Sequence, residues 1–386
     1  MPENLLKILS GVLELGALLG CLYLLFATRL AVRFMRRPHP TAAVQPPVSI
    51  LKPLCGEDPG LYENLLSFAD QSYPEFELVC GVQNPADPAI AVVERLQRAR
   101  PDRRIVLVIE SQRGARNLKV ANLMNMLPSA RFDRLVMADS DMRVTPDFLA
   151  AVAAPLEDPA VGLVTSLYRA RPADRSSWSA LGAQYINHAF VPQAVLGEIL
   201  RPGQGCFGAS IALTRETLEA MGGFAAVADT LADDNALGAA VRRMGKRVQV
   251  STLLIDDWIG EPSFAGVFRH ELRWALTIRG VAPWGYLGSV VTHPVVLALL
   301  AAMTGGLDLV PLTVLLVALL GRFAMVRVLD RALGLAATPW WRIPGRDLLS
   351  FAVFCASFCT RTVAWRDHSF HIDSHGTLTL DGEPQV

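Results

Sequence analysis

Asp139 and Asp141 stand one residue apart, directly after the apolar run RLVMA (134–138). Two carboxylates at a strand end can hold a divalent cation and still leave positions open for phosphate oxygens. Mg2+ and Mn2+ favour that mix of one or two carboxylates, water and diphosphate over a full protein cage. The competing reading is a solvated acidic turn. Asp87, in QNPADP (83–88), also follows an apolar run, and its place before Pro88 suits a turn or a helix start. Asp233 and Asp234 precede a helix-like stretch, ALGAAVRRMG, that ends at Gly245. On spacing alone, N-capping and dipole matching explain them, at about 1 kcal/mol each. The chemical alternative is a carboxylate held at a helix start, able to take a proton from an incoming hydroxyl. In HELRW (270–274), Arg273 beside Trp274 is either an interfacial anchor or a planar fork for a diphosphate. His368, His371 and His375 have a loosely metal-like spacing, but no cysteine or glutamate completes a set, and they read as surface residues.

Such residues need a frame. VSILKPL (48–54), FELVCGVQ (76–83), RIVLVI (104–109), RLVMADSD (134–141) and VGLVTSLY (161–168) read as strands, and 59–69, 89–98 and 118–126 as helices between them. Strands alternating with helices predict an α/β domain with a largely parallel sheet covered on both faces. Ligands of such sheets bind beyond the carboxyl ends of the strands, where Asp87 and the Asp139–Asp141 pair fall.

The 386 residues include 36 basic and 36 acidic side chains, a balance that argues against a nucleic-acid partner. The chain is 52% hydrophobic with a mean hydropathy of +0.33, and only 19% charged. Disorder is excluded by that apolar content. The apolar excess is concentrated. ILSGVLELGALLGCLYLLFAT (8–28) carries one charge, Glu14, and is long enough to cross a bilayer. Its start, with Glu3 and Lys7 instead of a basic run, and the arginines at 29, 33, 36 and 37 speak against a cleaved signal and place the following domain on the cytoplasmic side. Glu14 is expected near the outer interface or facing a neighbouring helix. YLGSVVTHPVVLALLAAMT (286–304) and VPLTVLLVALLG (310–321) read as a membrane hairpin that ends before Arg322. The arginine-rich stretch 327–347, with Trp340 and Trp341, reads as interfacial, and LLSFAVFCASFCTRTV (348–363) as a short segment that spans, re-enters or lies in the interface. The six cysteines form no CxxC pair and read as reduced, buried thiols.

Taken in order, Asp87, DSD (139–141), Asp233-Asp234 and Arg273-Trp274 resemble the D, D, D, (Q/R)xxRW signature of processive and lipid glycosyltransferases. The agreement is closest with the ceramide glucosyltransferase family, glycosyltransferase family 21. LKPLCGEDPGLYENLLSF (51–68), QNPADPAI (83–90), ADSDMRVTPDFL (138–149), GGFAAVADTLADDNALG (222–238) and the tail VAWRDHSFHI (363–372) carry it across nearly the whole chain. FRHELRWALTIR (268–279) and GLVTSLYRARP (162–172) are most similar to the bacterial hopanoid-biosynthesis branch, which places N-acetylglucosamine on bacteriohopanetetrol. One departure is His270, which stands where the family has Gln or Arg.

The resemblance implies a GT-A type, Rossmann-like nucleotide-sugar-binding domain with N- and C-terminal transmembrane helices. It implies an inverting transfer from a UDP-sugar to a membrane lipid, a hopanoid or, as the nearer rival, ceramide; a polyprenyl phosphate or diacylglycerol is a weaker acceptor. Asp234 is then the candidate base, Asp139 and Asp141 the Mg2+ or Mn2+ ligands, and Asp87 the holder of uridine or ribose. Lys119 and Arg273 add positive charge for the diphosphate, Trp274 packs against acceptor or sugar, and Asp233 and His270 are accessory candidates. The expected organisation is an anchor at 1–37, a cytoplasmic catalytic domain at 46–280 and a membrane region with a tail at 281–386, in the bacterial inner membrane. A transporter and a catalytically dead scaffold are the competing classes. The large polar α/β segment weighs against the first and the retained carboxylates against the second.

Overall fold

The computed structural model describes residues 2–39, 44–112 and 114–360, together with the backbone of strands at 362–365, 368–372 and 378–380. Two compact units emerge. One comprises residues 35–175 and 197–260, and the other 1–34, 176–196 and 261–386. Along the chain, helix α1 (Pro2–Met35) leads to β1 (Val48–Pro53), α2 (Leu61–Ala69), β2 (Phe76–Val82), α3 (Ala89–Ala99), β3 (Ile105–Ile109) and α4 (Leu118–Met126). Strands β4 (Arg134–Ala138) and β5 (Met142–Arg143), helix α5 (Phe148–Ala153) and the long β6 (Val161–Pro172) follow. Then come α6 (Ser177–Tyr185), α7 (Val191–Leu200), β7 (Ser210–Thr214), α8 (Arg215–Ala220), α9 (Asp233–Arg243) and β8 (Arg247–Ile259). The C-terminal third holds α10 (Phe264–Val281), α11 (Pro283–Gly288), α12 (Pro294–Thr304), α13 (Leu309–Ala332), α14 (Arg342–Ser357) and the small antiparallel strands β9 (Thr362–Trp365), β10 (His368–Ile372) and β11 (Leu378–Leu380).

In the first unit the strands form one sheet of order β3-β2-β1-β4-β7-β6-β8-β5. Alternate residues serve opposite faces. Ile50, Leu78, Val136 and Val164 meet Leu65, Phe68, Val93 and Phe148 on one side. Leu51, Val79, Met137 and Leu163 meet Leu123, Met126, Leu237 and Val241 on the other. Both faces are therefore covered, as the continuous apolar strands require. The sheet is largely parallel, as expected, with two antiparallel strands. β1, β2, β3, β4, β6 and β8 run the same way, but β7 lies antiparallel between β4 and β6, and β5 antiparallel beside β8. SIALT (210–214) is too short and too close to a glycine-rich loop to stand out in the sequence, and β7 enters the sheet from the opposite end after α6 and α7. Close approach of α4 to β2 depends on Gly81: a Cβ there would lie 2.4 Å from Asn122 Oδ1 and from Met126 Cγ.

In the second unit, Asn4–Met35 and Leu309–Ala332 are long and apolar enough to cross a membrane. Leu5, Ile8, Val12, Leu15, Leu22 and Leu25 of α1 are exposed, an apolar surface of the kind a membrane-crossing helix presents. Glu14 accepts a hydrogen bond from Ser10 Oγ at 2.9 Å on its own helix. The expected hairpin differs in two respects. Its first arm is broken, Pro283–Thr292 and Pro294–Thr304 meeting at 66°, because Pro294 lacks the N–H that would continue the ladder. Its second arm continues through Arg322, which is buried against Asp347 at 2.9 Å instead of marking the helix end. α14 has 16 residues, short for a span, and begins beside exposed Trp340 and Trp341. The cysteine expectation is also corrected: Cys80 and Cys206 are buried, Cys21 is half-buried, and Cys55, Cys355 and Cys359 are exposed. The side chains of His368 and His371, and all of His375, lie outside the described residues.

Candidate active site

The DSD loop leaves the carboxyl end of β4 and is pinned by its backbone. Lys52 Nζ and Met142 N–H donate to the Asp139 carbonyl, Asn64 Nδ2 to the Ser140 carbonyl at 3.3 Å, and Trp258 N–H to the Asp141 carbonyl at 3.1 Å. Ser140 Oγ donates to Asp58. With its carbonyls tied down, the loop has only its carboxylates to offer. Burial, then Asp139 and Asp58, push the Asp141 carboxyl up to about 7. Asp257 on β8 is pushed well above the carboxylate range by burial and then by Asp141 and Asp139. Asp141 Oδ1 and Asp257 Oδ1 are both buried without a hydrogen-bond partner. Hard oxygen donors crowded without partners suit a divalent cation. Among the described residues no three His, Cys, Asp or Glu side chains form a complete metal cage, so an ion here would need oxygens from elsewhere. Lys52, wholly buried in β1 and 4.1 Å from the Phe68 ring centre, is drawn down to about 8 by burial despite the charges of Asp141 and Asp139.

A second group forms around Lys119. Asn117 caps α4, its Oδ1 accepting from Lys119 N–H at 3.0 Å and Val120 N–H at 3.2 Å, while its Nδ2 donates to Asp233 Oδ1 at 3.4 Å. Lys119 Nζ lies 2.5 Å from Asp139 Oδ1 and 3.9 Å from Asp233 Oδ2. Burial pulls the Lys119 ammonium down, but Asp139, Asp233 and Asp234 more than offset it and hold it charged. Capping does not account for the paired aspartates: Ala232 is the N-cap and makes no side-chain cap bond. Asp234 Oδ1 accepts from Asn235 N–H at 2.7 Å, and its Oδ2 reaches out to Gly208 N–H at 2.8 Å. A Cβ on Gly208 would lie 3.4 Å from both Asp234 Oδ2 and Lys119 Nζ. Burial, then the neighbouring Asp233, raise the Asp234 carboxyl to about 6. The fold thus brings Lys119, Asp139, Asp233 and Asp234 together, with Asp141 two residues along the loop from Asp139.

Asp87 is buried, and its Oδ1 accepts from Ala89 N–H at 2.9 Å, a turn contact from one residue before the Pro88 N-cap of α3. Both its oxygens also take the Gly56 N–H at 3.0 Å, tying the loop after β1 to the start of α3.

His270, Arg273 and Trp274 lie on α10 in the second unit. His270 Nδ1 is 2.8 Å from Glu261 Oε1, and its ring is 4.2 Å from Trp274. The Tyr185 ring stacks on Trp274 at 5.8 Å. Sequence reasoning passed over Lys52, Asn117, Gly208, Asp257, Tyr185 and Glu261. A lysine inside the apolar run VSILKPL was the one available signal; the others are ordinary in type and gain meaning only from what they touch.

Residues 12–378 match the profile of glycosyl transferase family 21. The chain belongs to that family. This family 21 glycosyltransferase is 28% identical to Ceramide glucosyltransferase 1 of Caenorhabditis elegans over 218 residues, 56% of this chain and 45% of the relative. The match therefore spans less than half of that relative's length. It is 24% identical to Ceramide glucosyltransferase 3 of the same organism over 373 residues, 93% of this chain and 80% of the relative. The solved mannosyltransferase PcManGT from Pyrobaculum calidifontis, in complex with GDP-Man and Mn2+, is similar with a TM-score of 0.56 and 21% identity, covering 92% of this chain and 99% of that one. The fold is that of GT-A glycosyltransferases, with apolar helices at both ends that are candidate membrane spans.

Proposed function

We propose that this glycosyltransferase moves N-acetylglucosamine from UDP-GlcNAc to bacteriohopanetetrol, with inversion, at the cytoplasmic face of the bacterial inner membrane. The 1–37 segment serves as anchor, 46–280 as catalytic domain and 281–386 as membrane region. The observation that carries the reading is the convergence of Lys119, Asp139, Asp233 and Asp234 beyond the carboxyl end of β4. That edge is where an α/β sheet binds its ligand.

Asp234 takes the proton of the acceptor hydroxyl as its oxygen attacks the sugar's anomeric carbon and UDP departs. A carboxyl raised to about 6 is still ionised at neutral pH yet is a stronger base than a solvated one. Gly208 N–H and Asn235 N–H fix its orientation. Lys119 and Arg273 supply fixed positive charge for the diphosphate, Asp87 holds the nucleoside, and Trp274 packs against the acceptor. Asp233 keeps Lys119 in place, and His270 flanks Trp274. Asp139 and Asp141 would hold Mg2+ or Mn2+, which when bound neutralises charge on the departing β-phosphate. PcManGT was solved with Mn2+, which supports such an ion here.

The second reading, transfer of glucose from UDP-glucose to ceramide, is favoured by the names of the two nematode relatives. Membranes containing the protein, incubated with UDP-GlcNAc or UDP-glucose and either lipid, decide between them by mass spectrometry of the products. The expected product is N-acetylglucosaminyl bacteriohopanetetrol, lost with EDTA and restored by Mg2+ or Mn2+. Glucosylceramide as the sole product selects the second reading, and full turnover after chelation removes the ion from the scheme.

A further inference from the structure

Trp274 is packed from two sides within its own unit, and each neighbour is held from behind. His270 is backed by Glu261 at 2.8 Å. Tyr185, stacked on Trp274 with 22° between the planes, is backed by Arg346 of α14, whose guanidinium stands 5.7 Å from the Tyr185 ring centre. Arg346 also grips Glu271, three residues before Trp274, with Nη1–Oε1 and Nη2–Oε2 both at 2.6 Å. Its Nη1 donates further to the Leu181 carbonyl at 3.2 Å and its Nη2 to Ser350 Oγ at 3.0 Å. One guanidinium thus joins α6, α10 and α14 where Tyr185 meets Trp274.

Both partners of this ion pair are only 3% exposed, and Arg346 Nε is buried with no hydrogen-bond partner. Apolar side chains of similar volume would stabilise such a site as well or better, because each buried ion loses its hydration. What a bidentate guanidinium supplies that they cannot is direction, since its planar fork docks on a carboxylate in one plane. We infer that Arg346 is a positioning residue for glycosyl transfer: through Tyr185 and Glu271 it fixes the plane in which Trp274 meets the acceptor. The inference rests on the acceptor role proposed for Trp274. Exposed Trp340 and Trp341 immediately precede α14, the helix that carries Arg346.

The test is a double-mutant cycle on the full-length protein in membranes. Glu271→Gln with Arg346→Met removes both charges and leaves neither unpaired. This variant is expected to melt within a few degrees of wild type, to keep its KM for the donor within about twofold, and to lose about tenfold or more in kcat, the order expected when a reacting group is slightly misplaced. In a Trp274→Phe background the same replacement is expected to cause little further loss. Equal losses in both backgrounds, or unchanged kcat in the doubly neutral variant, overturn the role of Arg346 and leave the proposed function standing. Unchanged transfer by Trp274→Phe alone overturns the acceptor role of Trp274, and this inference with it. If the doubly neutral variant fails to fold, Arg346→Lys keeps the charge but loses the fork, and the same kinetic readings apply to it.

Discussion

At the scale of single residues, the decisive feature is that Asp234 bridges its own helix terminus and a distant loop, accepting Asn235 N–H on one oxygen and Gly208 N–H on the other. A capping aspartate would spend its oxygens on the first turn; here one oxygen stabilises the loop at Gly208. Asp234→Asn is expected to lower transfer by about a hundred- to ten-thousand-fold, the usual weight of a positioned base, with UDP-sugar affinity nearly unchanged. Burial raises this carboxyl to about 6, so kcat/KM should fall as the pH drops below about 6 and the base becomes protonated. The same shift has a stability consequence of opposite sense. A carboxyl whose folded value lies above its unfolded one contributes stability in acid and loses it as the pH rises through about 6. Asp234→Asn removes a buried charge, so it should melt no lower than wild type at pH 7. An inactive variant that is also unfolded would remove the basis for the assignment.

At the scale of elements, the site depends on how closely α4 lies against β2. Lys119 sits in the first turn of α4, and its reach to Asp139 is set by the packing of Asn122 and Met126 over Gly81. A methyl at 81 has no room, so Gly81→Ala should destabilise the fold by about 1–3 kcal/mol and weaken transfer through displacement of Lys119. Unfolding by urea with an unchanged midpoint would show that the helix can yield. The limits of α4 were legible at 118–126 because LKVANLMNM is a run rich in helix formers with apolar residues at helical spacing. β7 and β8 were not, since a five-residue strand and a strand carrying Asp256 and Asp257 lack the continuous apolar pattern of β1 and β2.

At the scale of the whole molecule, a GT-A fold and two helices long and apolar enough to cross a membrane, with exposed leucines, are encoded in one chain. The protein is expected to sediment with membranes, to resist extraction by high salt and to be released by detergent, as burial of apolar helices rather than charge attraction requires. Release by salt alone would mean that α1 and α13 do not cross the bilayer.

The sequence alone determined where the long apolar segments lie, the alternation of strands and helices and the order of the carboxylate motifs, because these are set by local composition and spacing. It could not decide which distant groups those carboxylates reach. Asp87 and Asp234 occupy similar sequence settings, and each binds an N–H at the start of its own helix while reaching a distant loop N–H, Gly56 for the first and Gly208 for the second. Nor could it foresee that Arg322 and Arg346, which read as membrane-boundary charges, would be buried against Asp347 and Glu271. Those outcomes depend on partners 25 and 75 positions away, and only the folded chain sets such distances.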